Sequence, residues 1–83
     1  MDEIVTTLLP AIGEQLESPD TPYVKEAYDR LLADPEIKDE EAREMIAFCL
    51  ADEIEKLDRE GREFDPARYQ MLLNLLPALP ESR

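Results

Sequence analysis

The sequence predicts an all-α fold, a compact four-helix domain spanning residues 1–83 as a single unit. Three observations carry this. Apolar residues recur at helical spacing and never alternate as in a half-buried strand. Proline- and glycine-containing breaks at Ser18–Pro22, Asp34-Pro35, Gly61, Asp65-Pro66 and Leu76-Pro77 divide the chain into four such stretches. The connections between them are too short for anything but close helix neighbours.

The first helix is expected over about 4–17, with Ile4, Leu8, Ile12 and Leu16 as its stripe. Pro10 lacks a backbone donor and crowds the preceding turn. The helix is therefore either kinked there or late-starting, with Thr7 as its cap. The second spans 22–33. Thr21 is placed as N-cap, Pro22 takes the first helical position, and Val24, Ala27, Tyr28 and Leu31 share a face. The third covers 39–60. Asp39, Glu40 and Glu41 bring negative charge to its first turn, and Gly61 follows its end. Ala42, Met45, Ile46, Cys49, Leu50, Ile54 and Leu57 form its stripe. Asp39–Arg43, Asp52–Lys56, Glu55–Arg59 and Asp58–Arg62 are expected pairs at four-residue spacing. The fourth covers 66–76, with Asp65 as N-cap, Pro66 next, and Phe64 packing on Tyr69 as a hydrophobic staple.

Composition bounds the chemistry. The 83 residues include no His, one Cys and two Gly, which leaves no imidazole ligand or base, no internal disulfide and no glycine-rich phosphate loop. No metal and no cofactor is expected. The net charge is −12, and residues 1–65 carry −13 of it while 66–83 carry +1. This field repels phosphate, so direct nucleic-acid binding is not expected, and neither is a membrane span. Met1-Asp2-Glu3 has the wrong charge for a signal peptide, so a cytoplasmic location is expected.

Glu53 stands out. It falls near the centre of the third helix's apolar stripe, where burial would raise its pKa toward that of a general acid or base. The stronger reading is structural: a tyrosine hydroxyl (Tyr23, Tyr28 or Tyr69), a helix N-terminus or water at the end of the bundle satisfies it. Cys49 reads as a small core hydrophobe, and the tyrosines and phenylalanines as core or staple residues. Met71 and Leu75 lie about 160° and 120° from Tyr69 at the ~100° step of a helix, with Leu79 just beyond Pro77. These three form a candidate interaction surface, unless the tail or the first helix covers them.

The run Thr21–Leu31 and the stretch Asp39–Pro77 carry a resemblance. It rests on Ala51-Asp52-Glu53-Ile54, on Glu60-Gly61-Arg62-Glu63-Phe64-Asp65, and on Arg68-Tyr69 with Leu72-Leu73. These pieces resemble a loose group of short bacterial all-helical domains, in which a long helix ends in Gly and a short one follows with a Tyr and a Leu pair. The resemblance implies a helical fold and a bacterial source, and it carries no activity. Some members of the group have a His on the long helix, and this chain has none.

The functional expectation is a small acidic, non-enzymatic interaction or regulatory domain, with a protein partner or a homodimer contact on a helical surface. Two alternatives stand beside it. One is an acidic mimic of nucleic acid, or an antitoxin-like inhibitor, on a basic target. The other is an enzyme using Glu53.

Overall fold

A computed structural model describes residues 3–79. Four helices follow in order, α1 (Glu3–Glu17), α2 (Pro22–Leu32), α3 (Asp39–Glu60) and α4 (Pro66–Leu75), with no strand among the described residues. The fold is all-α. The Cα radius of gyration is 12.1 Å, matching the ~12 Å of a compact chain of this length. α2 and α3 each pack on all three other helices, whereas α1 and α4 lie apart. A hydrogen bond bridges that gap. The Tyr69 hydroxyl on α4 donates to Gln15 Oε1 on α1 at 2.7 Å.

α1 begins at Glu3 and runs unbroken through Pro10, so the late start at Thr7 does not occur. The Thr7 hydroxyl instead donates to the Glu3 carbonyl inside the helix, as mid-helix threonines do. Pro10 is exposed, and the opposite side buries Val5 and Ile12. Tertiary packing of that side overrides the poor helix propensity of the segment. The buried line passes through Val5 and not Ile4, which stays exposed.

α2 ends at Leu32, one residue short of the expected bound. Thr21 occupies the N-cap position without capping. Its hydroxyl donates to the Gln15 carbonyl at 2.9 Å, tying the α1–α2 turn to the end of α1. α3 matches its expected bounds. Gly61 takes the left-handed conformation at φ 64°, and the N–H groups of Gly61 and Arg62 both bond to the Leu57 carbonyl. That is a Schellman-type stop, which closes the helix and turns the chain sharply back. α4 opens as expected. The Asp65 carboxylate accepts from Ala67 and Arg68 N–H, and the Phe64 ring meets Tyr69 edge-on at 5.7 Å. It stops at Leu75 and not at residue 76, although the Leu76 side chain remains buried.

The core gathers Val5, Ile12, Val24, Leu31, Ile46, Cys49, Tyr69 and Leu73. Tyr69 is its largest fully buried side chain. Tyr23 meets it edge-on at 6.0 Å, so two aromatic partners and one hydrogen bond fix its ring.

The two glycines should respond oppositely to alanine. At Gly61 an added Cβ finds open space, but φ 64° strains any L side chain. Gly61→Ala should therefore cost about 1 kcal/mol, or roughly 4–8 °C in Tm. Gly13 sits inside α1, where a Cβ would rest 3.7 Å from Arg43 in ordinary contact. Gly13→Ala should raise stability by about 0.5–1 kcal/mol. Thermal unfolding followed by circular dichroism measures both.

Candidate functional site

Glu53 projects from the last third of α3 and is fully buried, with Ile46, Cys49 and Leu50 buried along the same helix. Its carboxylate accepts four hydrogen bonds. Arg62 donates through Nη1 to Oε2 at 2.7 Å and through Nη2 to Oε1 at 3.0 Å. Arg68 Nη1 donates to Oε1 at 2.9 Å, and the Asp65 backbone N–H donates to Oε2 at 2.8 Å. Arg68 also holds Asp52, and Arg62 holds Glu60 at 2.6 Å. Among the described residues, no buried side-chain nitrogen or oxygen lacks a partner.

Local structure makes this cluster. The Gly61 stop points Arg62 back along α3, where it reaches Glu53. The Asp65 cap starts α4 beside Glu53, and Arg68, one turn in, faces α3. The expected Asp58–Arg62 pair does not form, because Arg62 lies beyond the helix end and is taken by Glu53 and Glu60. Asp52 pairs with Arg68 in place of Lys56. The Asp39–Arg43 and Glu55–Arg59 pairs are present.

The expectation of a raised Glu53 pKa is overturned. The Arg62 guanidinium, opposed by burial and helped by the Asp65 N–H and Arg68, holds the carboxyl down at about 2. A carboxylate has about four lone-pair sites, and all four are engaged here. Glu53 therefore stays ionised near neutral pH and has no acceptor left for a substrate proton. Of the partners considered, a tyrosine is not used: Tyr69 bonds Gln15 and Tyr28 bonds Asp39. A helix N-terminus does contribute, through the Asp65 N–H. The arginines were not anticipated. The available signal was one arginine within the Gly61–Asp65 turn and a second three residues after it, in the segment that folds back over Glu53.

Cys49 is buried and its thiol pKa is pushed up to about 12, by burial first and by the Asp52 charge second. Among the described residues, no group of three or more Cys, Asp or Glu is placed to hold a metal ion. No described helix is long and apolar enough to cross a membrane.

The other candidate surface is the outward side of α4. Met71 is 53% exposed, Leu75 58% and Leu79 46%, so neither α1 nor another described segment covers them. Residues 66–79 contain one charged side chain, Arg68, and it is turned inward to Glu53 and Asp52. Pro66, Ala67, Gln70, Asn74, Pro77 and Ala78 complete an exposed face without charge. On the far side, Arg30 of α2 donates to the Leu73 and Leu76 carbonyls at 2.8 Å each, satisfying the end of α4.

No known protein-family model matches the chain, and neither the curated proteins nor the solved structures contain a match.

Two outcomes follow from this geometry. Glu53→Gln keeps the shape and loses the charge, leaving Arg62 and Arg68 partly uncompensated. Both arginine side chains retain solvent contact, at 29% and 23% exposure, so the cost should sit near the low end for breaking a buried pair, about 3 kcal/mol. Because the folded pKa lies below the ordinary 4.5, the stabilisation is present above pH ~5 and fades as pH falls toward 2. Denaturant melts of wild type and variant should differ at pH 7 and converge near pH 2. Cys49 should label with a thiol reagent at pH 8 only at the rate of unfolding. Rapid labelling of the native protein, timed by absorbance, would contradict its burial.

Proposed function

We propose that this chain is a small acidic, non-enzymatic domain that binds a protein partner through the outward face of α4. One observation carries the reading. In a chain of net charge −12, the described residues 66–79 expose Met71, Leu75 and Leu79 and hold one charged side chain, Arg68, which is paired with Asp52 and Glu53. Charge keeps a small acidic protein soluble and apart from others, and a neutral apolar face is where desolvation on contact is favourable. The Glu53 cluster fits a structural role in this reading, because its lone pairs are already occupied. The acidic remainder opposes direct nucleic-acid binding and favours encounter with basic proteins, in keeping with a cytoplasmic interaction or regulatory domain.

Met71→Glu combined with Leu75→Lys should leave helix content unchanged by circular dichroism, since both residues are exposed. It should abolish capture of the partner from native lysate, or convert a dimer to monomer in size-exclusion chromatography with light scattering. A double variant that folds and keeps both its partner and its assembly removes this face from consideration. Capture that survives the double variant but vanishes at high salt supports the acidic mimic of nucleic acid instead.

A further inference from the structure

We propose that α4 opens from the rest of the domain as one unit, hinged on the Gly61–Asp65 turn, and that a proton taken up by Glu53 drives the opening. Packing supplies the division. α1, α2 and α3 each pack on the other two, whereas α4 packs on α2 and α3 alone. Removing α4 therefore leaves the contacts among the first three helices in place. Bonding supplies the catch. All four hydrogen bonds to the buried Glu53 carboxylate come from beyond the end of α3, from Arg62, the Asp65 N–H and Arg68. The acceptor stays with α3 and every one of these donors belongs to the turn or to α4. The turn itself is the joint, since residues 61–65 lie outside both helices and Gly61 holds the left-handed conformation at φ 64°. Units of this kind, smaller than the whole domain, open cooperatively in native proteins.

The groups around the joint set the sign of the response. On α3, Asp52 pairs with Arg68 and Glu60 with Arg62, while Glu53 takes both arginines. The Asp65 carboxylate caps α4 and moves with it. From α2, Arg30 holds the Leu73 and Leu76 carbonyls, and from α1 the neutral Gln15 accepts from Tyr69. These last two ties keep α4 closed and involve no carboxylate. A neutral Glu53 would leave two guanidiniums converging on an uncharged group, with one acid remaining for each. In the closed form the Arg62 guanidinium holds the Glu53 carboxyl at about 2, against an ordinary 4.5. Opening returns that carboxyl to water, so the open form binds a proton more readily. Opening therefore gains nothing from Glu53 above pH ~6 and grows more favourable as pH falls through 4.5 toward 2. Between pH 6 and pH 3 the opening equilibrium should rise about thirtyfold. Glu60 is also held below its ordinary value by Arg62 and acts in the same direction. The open form uncovers the inner side of α4, with Tyr69, Leu72, Leu73 and Leu76.

Native-state amide exchange of the whole chain, followed by NMR at pH 6 and pH 3 and corrected for intrinsic rates, tests this. The Leu72 and Leu73 amides report on the middle of α4, and those of Ile12 and Ile46 on α1 and α3. At pH 6 the α4 pair should exchange through an opening about tenfold or more populated than the one that releases Ile12 and Ile46. Lowering the pH to 3 should raise the α4 opening by the thirtyfold given above. Glu53→Gln should raise it already at pH 6 and lose most of its pH response. Equal opening of the α4, α1 and α3 amides overturns the proposal, because α4 then leaves only when the whole domain unfolds. An α4 opening that changes by less than about threefold between the two pH values overturns it too. So does a full response retained in Glu53→Gln, which assigns the proton to another group. The two wild-type measurements decide the matter even if Glu53→Gln does not fold.

Discussion

The buried carboxylate of Glu53 is the interaction on which the arrangement of α3 and α4 depends. A charge without water needs donors on every lone pair, and each donor here comes from the segment after the Gly61 stop. Satisfying Glu53 therefore fixes three things at once: the direction of the turn, the start of α4 and the side of α4 that faces α3. A hydrophobic residue at position 53 could pack as well, but apolar contact is non-directional and would not select Arg62, Asp65 and Arg68 as its neighbours. In this protein the buried ion cluster orients one helix against another.

The orientation has a consequence on the outer surface. With Arg68 committed to Asp52 and Glu53, the residues that follow it toward the outer side of α4 are Met71 and Leu75, both exposed. The arginine that completes the inner network also removes the one charge that would otherwise lie on the outer face. Arg30 acts at the far end, where it satisfies the last carbonyls of α4 from α2. One arginine on α4 and one on α2 thus have their guanidiniums engaged by acids or carbonyls near the two ends of α4.

Tyr69 plays a matching part inside the core. It is clasped edge-on by Tyr23 and Phe64 and hydrogen-bonded to Gln15, so one side chain joins α1, α2 and the start of α4. Burial pushes its hydroxyl pKa above the ordinary value. α1 and α4 hold their relation through this bond and through the helices between them.

The sequence by itself determined the number of helices and most of their ends. Those are local matters: Pro22 and Pro66 at first positions, the Asp65 cap, the Phe64–Tyr69 staple and the left-handed Gly61 act within a few residues, and their chemistry reads directly from the chain. It also set the central position of Glu53 on the α3 stripe, since periodicity alone places a residue on a helix face. The sign of the Glu53 pKa shift was decided only in three dimensions. Burial raises a carboxyl and two guanidiniums lower it, and the guanidiniums arrive from residues 9 and 15 positions away around a turn. The continuity of α1 through Pro10 was likewise a tertiary outcome, because burial of Val5 and Ile12 outweighs a local propensity that favours a break. Which arginine pairs with which acid followed the path of the backbone past Gly61, and four-residue spacing has no meaning once the helix has ended.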